Sequence, residues 1–347
     1  MRAVALTAGE RIEVTSAHRW IGEVLAEGLA GESLAAGPGH GQPGHGQPDR
    51  EATIGVTVDG TDGPFDPAGW EVLTRGAWRR PGEVLLRNVC SSGLDLAIST
   101  RSPRLLVSAR WRPGPTGRAV SAALRSRARL LIRAVLLQYP ALWLAEQRGR
   151  TVVHASACTL GGPGGRTMLL AGPGGVGKST LVDAELAGGG LSTADNLCVT
   201  DGRVVWGVLE PRRISAGHVA GPSAGRRMPH GRREAPWPSR PPRQEPDVVV
   251  VLRRGTGAEP SIENCPPDEA ARALTAGTYM AGELRRYWAF AATVGLGTGA
   301  GEVQPRVGEV AARLCSRLPC VRVTLARDPG TDLRSLLSAF IGLEVRT

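Results

Sequence analysis

The order of apolar and polar positions divides the chain into four stretches. Residues 53–58 (Thr-Ile-Gly-Val-Thr-Val) alternate with a period of two, and residues 83–87 and 104–109 are short apolar runs between turns. These patterns predict strands and make residues 51–115 a small β-rich accessory domain. Residues 1–50 precede it, with a weak helical pattern over 21–34 and then a near-repeat of Gly, Pro and His over 37–48. That repeat cannot build a core and reads as a linker; His40 and His45 on it make a poor metal site.

Beyond the β-rich stretch the period changes to that of a helix. Val120, Leu124, Leu131, Ile132, Val135, Leu136, Tyr139 and Trp143 recur at helical spacing, interspersed with Arg125, Arg129 and Arg133. Residues 116–150 are therefore a connecting helix, kinked at Pro140 and expected to pack between domains rather than on a membrane surface. Residues 151–347 alternate strand-like and helix-like segments. Apolar runs over 151–160 and 167–171 predict two strands, and residues 178–187 a helix closed by the three glycines 188–190. Asp201-Gly202 between two apolar runs signals a hairpin. A basic, Pro- and Gly-rich loop covers 211–246, followed by a strand at 248–252, helices at 268–276 and 280–293, a strand at 320–325 and a last helix at 333–340. The fold class is α/β, with a smaller N-terminal β-rich domain.

Composition narrows this picture. No run reaches the ~18 apolar residues of a membrane-spanning helix, and residues 1–10 lack a secretory apolar segment. The six cysteines (Cys90, Cys158, Cys198, Cys265, Cys315, Cys320) show no Cys-x-x-Cys pair and read as reduced thiols, which points to a cytoplasmic protein. A net charge of +10 raises the question of nucleic acid. Arginine is dispersed, however, and no stretch interleaves basic with aromatic residues, so nucleic acid is disfavoured as a partner. A homo-oligomer is compatible with the sequence.

One basic residue stands apart. Lys178 is the only lysine in the chain, and every other member of the 42 Lys plus Arg is arginine. It sits in Gly172, Pro173, Gly174, Gly175, Val176, Gly177, Lys178, Ser179 and Thr180, the spacing of a phosphate-binding P-loop. A compact ammonium can fold into a small backbone ring and touch a phosphate where a planar guanidinium cannot. The following helix adds its positive end, and Ser179 is placed for the Mg²⁺ that accompanies ATP. The single lysine also excludes activities. Ras-type GTPases need an Asn-Lys-x-Asp segment, ATP-dependent phosphoenolpyruvate carboxykinases need a further active-site lysine, and the Leu-Ser-Gly-Gly-Gln signature of transporter ATPases is absent.

Phosphoryl transfer also needs carboxylates. Asp195 ends an apolar segment 17 residues after Lys178, where a strand should bring it beside the loop, and Glu210 ends a second run as a candidate Mg²⁺ ligand. Arg232, in the His230-Gly-Arg-Arg-Glu segment of the basic loop, is a candidate for neutralising charge on the transferred group. In residues 282–290, Arg285 and Arg286 are expected to face the site or a partner.

Taken together, His154-Ala-Ser-Ala, the glycine-rich loop with its preceding Leu-Leu-Ala, and Gly-Leu-Ser-Thr-Ala-Asp-Asn over 190–196 resemble the catalytic region of the HPr kinase/phosphorylase family and its kinase-like relatives. The resemblance covers about 151–330 and implies a P-loop nucleotide-binding domain of the HPr kinase / phosphoenolpyruvate carboxykinase-like type. By it, Asp195 would be the general base toward a serine hydroxyl, and His154 would lie near the phosphates. Asn196 would occupy the place of a second aspartate at the metal, and Glu210-Pro-Arg is similar to a Glu-x-Arg segment. The implied activity is transfer of the γ-phosphate of ATP, with Mg²⁺, to a protein or peptide, including a natural-product precursor peptide. The alternatives are an ATP-dependent switch or scaffold without kinase activity and a small-molecule kinase.

Overall fold

The computed structural model describes residues 1–29, 52–61, 63–161, 165–215, 226–227, 232–301, 306–327 and 333–341. The linker over 37–48 with His40 and His45, part of the turn after residue 161, and His230 lie outside them. The protein is mixed α/β with several sheets, and its backbone forms two compact units.

The first unit comprises residues 1–147, 209–211 and 286–303. Its sheet has eight strands: β1 (Arg2–Thr7), β2 (Glu10–Ser16), β3 (Ile54–Asp59), β4 (Glu71–Thr74), β5 (Ala77–Arg80), β6 (Glu83–Leu86), β7 (Leu94–Ser99) and β8 (Leu105–Trp111). Their order is β1-β2-β3-β8-β7-β6-β5-β4, antiparallel except that β3 runs parallel to both β2 and β8. The alternation in sequence matches the burial: in β3, Ile54, Val56 and Val58 are buried and the residues between them are not. Residues 1–50 are expected to stand apart from the β-rich domain, but β1 and β2 complete its sheet. β1 and β2 form a local hairpin, and β2 pairs with β3 by backbone hydrogen bonds across a long sequence gap, which no local pattern announces. The helix in that stretch is α1 (Arg19–Leu29), which buries Ile21, Val24, Leu25 and Leu29 along one face.

The predicted single helix is broken twice. α2 (Pro115–Ala123) ends at Leu124, whose φ of −110° and ψ of 49° are not helical, and α3 (Arg125–Arg133) begins there. A π-helical turn, Ala134–Gln138, then leads into α4 (Tyr139–Gln147). Pro140 lacks an N–H and crowds the carbonyl four residues back, so a wider turn before it relieves the clash. Val135, Leu136 and Leu142 are fully buried, and the helix packs within the first unit instead of only joining domains. Residues 125–147 are long and apolar enough to cross a membrane by length and composition, but 61% of their apolar 18-residue window is buried inside the protein.

The second unit comprises residues 148–208, 212–285 and 304–347. Its strands are β9 (Thr151–Val153), β10 (Ala155–Thr159), β11 (Thr167–Ala171), β12 (Leu191–Ala194), β13 (Cys198–Thr200), β14 (Val205–Gly207), β15 (Arg212–Ser215), β16 (Arg226–Arg227), β17 (Arg232–Ala235), β18 (Arg243–Gln244), β19 (Val248–Arg254), β20 (Ser261–Asn264) and β21 (Cys320–Leu325). A six-stranded sheet runs β12-β10-β11-β19-β21-β20, with β11, β19 and β21 parallel. A four-stranded sheet runs β18-β14-β13-β9, and β15, β17 and β16 form a third. The helices are α5 (Lys178–Ala187), α6 (Pro267–Met280), α7 (Gly282–Thr298, which continues into the first unit), α8 (Val307–Arg317) and α9 (Leu333–Ile341).

Both faces of the six-stranded sheet are apolar, which explains the unbroken valines of β19. Leu169, Ala171, Val249 and Val251 pack with Leu274 of α6 and Leu314 of α8. Met168, Leu170, Val248 and Val250 pack on the opposite face with Val182 of α5 and Leu337 of α9. A strand covered on both faces reads as a continuous apolar run.

The two larger sheets of this unit share chain segments. The predicted strand over 151–160 splits at His154: β9 belongs to the four-stranded sheet and β10 to the six-stranded one. In the same way, β12 and β13 belong to different sheets, and Asp195 and Asn196 lie between them. The predicted hairpin at Asp201-Gly202 joins β13 and β14, with Asp201 accepting the N–H groups of Arg203 and Val204, both at 2.8 Å. Gly207 at the end of β14 touches the sheet crossing directly: its N–H donates to Thr193 Oγ1 at 3.2 Å, and an added Cβ would stand 1.7 Å from the Thr193 carbonyl oxygen.

Gly207→Ala is therefore expected to destabilise the protein by about 2 kcal/mol or more, the scale of overpacking a close backbone contact. The denaturant midpoint of unfolding followed by circular dichroism checks this; an unchanged midpoint would contradict the close approach.

Candidate functional site

The glycine-rich segment folds as a tight loop between β11 and α5. Gly177 closes it at φ +124°, a backbone conformation open to glycine, and serves as the N-cap of α5 without any side-chain capping hydrogen bond. The first N–H groups of that helix have no side chain to satisfy them, the arrangement that favours an anion. Lys178 is buried and turns back over the loop: its Nζ donates to the carbonyls of Gly172 at 2.8 Å and Pro173 at 3.2 Å. Val176 points into the core beneath the six-stranded sheet.

The loop opens on a cavity of ≈ 370 Å³. His154, Lys178, Ser179, Thr180, Asp195, Asn196, Arg213, Arg254 and Glu283 line it together with Gly174, Gly175 and Gly177. His154, Asp195 and Asn196 reach it because the chain changes sheet at those residues, which releases their side chains from the alternation of a continuous strand. α6 fixes the first of them: Thr278 Oγ1 accepts the His154 N–H at 3.0 Å, and Nδ1 lies 3.1 Å from the Gly277 carbonyl. A carbonyl only accepts, so Nδ1 carries the proton.

The electrostatics of the wall separate its titratable groups. Burial lowers His154 to about 4, the Lys178 ammonium adds to the effect, and the imidazole is neutral at physiological pH. Burial raises Asp195, against the pull of the Ser179 hydroxyl, Arg213 and Lys178. Asp195 Oδ2 accepts the Arg213 backbone N–H at 3.3 Å, while its buried Oδ1 has no hydrogen-bond partner among the described residues. Asp183 on α5 does not line the cavity; burial raises it too, to about 7, which the Arg212 guanidinium at 3.0 Å opposes and Asp195 reinforces. Glu283 behaves oppositely. Burial would raise it, but its own N–H at the start of α7, Arg213, Asn196 and His154 together hold it below the usual carboxylate range. Its Oε1 accepts from Asn196 Nδ2 at 3.3 Å and from Arg213 at 3.4 Å.

Not every sequence candidate reaches this wall. Glu210 is buried, with Leu209, in the first unit and is not among the residues that line the cavity. Proximity in sequence to β15 does not carry it along, because residues 209–211 leave the second unit before the chain re-enters it. Of Arg232, on β17, only the backbone is described, paired with Ser215. Of the two arginines expected on α7, Arg286 belongs to the first unit, and the residue of that helix lining the cavity is Glu283. Among the described residues, no group of three or more His, Cys, Asp or Glu is arranged to hold a metal ion.

Sequence reasoning missed Arg213, Arg254 and Glu283. Arg254 lies at the exposed carboxyl end of β19, next to the strand that feeds the loop, and has no ion-pair partner among the described residues, whereas neighbouring Arg253 pairs with Glu269 at 3.0 Å. The sequence signal was the end of a buried parallel strand, where ligand sites form in such sheets. No protein-family model matches the chain, and no curated protein matches it either.

The shifted histidine generates a pH test. His154 falls from 6.5 unfolded to about 4 folded, so its contribution to stability is complete above pH 6.5 and is lost as pH falls toward 4. Asp183 acts with the opposite sign: raised from 3.8 to about 7, it stabilises at low pH and loses that contribution as pH rises through 7. The comparison with His154→Gln isolates the first term. The unfolding free energy of the parent minus that of the variant should shrink as pH drops from 6.5 to 4, by up to roughly 1.4 kcal/mol per pH unit. A difference independent of pH in urea titrations would mean that the imidazole is not held neutral.

Proposed function

We propose that the second unit is an ATP-dependent phosphotransferase of the HPr kinase-like P-loop type, transferring the γ-phosphate to a serine-type hydroxyl of a protein or peptide. The observation that carries this reading is the buried Lys178 folded onto the Gly172 and Pro173 carbonyls, at the uncapped start of α5 and in the same cavity as Asp195. An ammonium in that position meets the β- and γ-phosphates as the helix N-terminus meets the chain of phosphates.

Asp195 is the general base in this scheme. Its Oδ1 has no hydrogen-bond partner among the described residues, and a carboxyl raised by burial has more affinity for the proton of an attacking hydroxyl than a solvated one. Neutral His154, with its proton on Nδ1, adds no positive charge that would compete with Lys178 for the nucleotide. In this scheme Arg254, which lines the cavity without an ion-pair partner among the described residues, and Arg213, which Glu283 holds in place, supply the charge-neutralising role. The donor set fits a magnesium ion that arrives on the nucleotide: it is oxygen at the loop end, from Ser179 with Asn196 in the same wall. When bound, the ion would shield the phosphate oxygens.

Asn196 also favours a second reading. A neutral amide bonded to Glu283, where a second acidic ligand is expected, suits a protein that binds ATP and signals without transferring phosphate.

The experiment follows γ-labelled phosphate from Mg·ATP onto candidate peptides encoded beside the gene. Asp195→Asn should keep nucleotide binding and slow transfer by ~10²–10⁴-fold, the usual loss with a general base. Transfer at the parent rate would remove Asp195 as the base. Loss of Mg·ATP binding would make it a metal ligand, and binding by the parent with no labelled acceptor would select the switch.

A further inference from the structure

The first unit holds a separate cavity of ≈ 250 Å³ that plays no part in phosphoryl transfer. Cys90, Val120, Leu124, Arg127, Leu131 and Arg286 supply the chemistry of its wall. α2 buries none of its residues, and Val120 and Leu124 at the cavity are 50% and 48% exposed. Apolar side chains are thus left against water at a concave site, where covering them would be favourable.

Two guanidinium groups bound the same space, Arg127 from α3 and Arg286 from α7. Both are exposed, and neither has an ion-pair partner among the described residues. Other arginines of this unit are engaged: Arg112 with Asp95 at 3.0 Å, Arg110 with Asp59 at 3.2 Å, and Arg129, on the same helix as Arg127, with Glu27. The floor is a turn held in an unfavourable conformation. Asn88, Cys90 and Ser91 have φ of 48°, 51° and 60°, and none is glycine. The turn is held by Asn88 Oδ1, which accepts from the Gly93 N–H, and by Asp95, which accepts from the Asn88 N–H, both at 2.9 Å. Such strain persists where the surroundings over-determine it, and that is frequent at ligand clamps.

We propose that this cavity binds a small amphipathic carboxylate, its apolar body against Val120, Leu124 and Leu131 and its carboxylate between Arg127 and Arg286. A planar fork matches a carboxylate in two directions at once. The volume is below that of drug-sized sites, so the ligand is the size of a medium-chain acid or a single apolar amino acid derivative.

Cys90 reports on occupancy. All six cysteines are free thiols, and Cys90 is the one that is not buried. In the full-length protein, N-ethylmaleimide should therefore label Cys90 first, and octanoate below its micellar concentration should slow that labelling in a saturable way, while octan-1-ol at equal concentration should not. The Arg286 guanidinium draws the Cys90 thiol down against the effect of burial, so the double variant Arg127→Gln, Arg286→Gln should label more slowly than the parent without ligand. Judged against its own unliganded rate, it should bind octanoate about tenfold or more weakly, having lost both charge-assisted contacts. Three results would each overturn the proposal: octanoate leaves the parent's rate unchanged, octan-1-ol protects equally well, or protection survives in the double variant.

Discussion

A buried ammonium must find oxygen atoms to replace its water, and Lys178 finds them in the backbone of the loop that precedes it. That requirement shapes the surrounding site. The loop must curl tightly enough for the carbonyls of Gly172 and Pro173 to converge on Nζ, and β11 must deliver it at its carboxyl end. α5 starts immediately at Lys178 behind an N-cap with no capping side chain, so the ammonium and the amides of the first turn share one small region. The charge then acts on its neighbours: it contributes to keeping His154 neutral and draws Asp195 toward ionisation against the effect of burial.

The cavity wall holds titratable groups whose environments push them apart. His154 is lowered, Asp195 is raised, and Glu283 is lowered by a network through Asn196 and Arg213. Such divergence is the ordinary physical basis for assigning acids and bases. The arrangement also explains why Arg213 is suited to its place. Its backbone N–H holds one oxygen of Asp195 while its guanidinium meets Glu283, so one residue of β15 spans both carboxylates. Alternation along the strand turns its neighbour Arg212 the other way, onto Asp183.

The nearly lysine-free composition takes on a structural meaning outside the site. Arg80 lies over Trp70, Arg87 over Trp78, Arg110 over Phe65 and Arg150 over Trp206. Arg79 meets Glu71 with two hydrogen bonds of 2.9 and 2.7 Å. Stacking and paired contact use the planar guanidinium, which lysine does not offer. Surface pairs of this kind each contribute little, and the composition serves local packing more than net stability. Against this background of engaged arginines, Arg127, Arg254 and Arg286 line cavities and have no ion-pair partner among the described residues.

Much of the fold was legible in residue order because it depends on local periodicity. The bounds of α5 and β21, the valine run of β19 and the Asp201-Gly202 hairpin follow from patterns a few residues long. The glycine-rich loop was legible for the same reason: its glycines and lysine act within one turn of backbone. What the sequence could not supply were the pairings across long gaps. The β1–β2 hairpin joins β3 only through hydrogen bonds of β2 over tens of residues, and the break at Leu124 and the wide turn before Pro140 answer to packing and to proline sterics. The wall of the site divides along the same line. Lys178, Ser179 and Asp195 were named from spacing alone, whereas the recruitment of Arg213, Arg254 and Glu283 to the wall was decided in three dimensions. There the chain passes from one sheet to another and brings strand ends distant in sequence to one cavity, a geometry that short-range side-chain order does not encode.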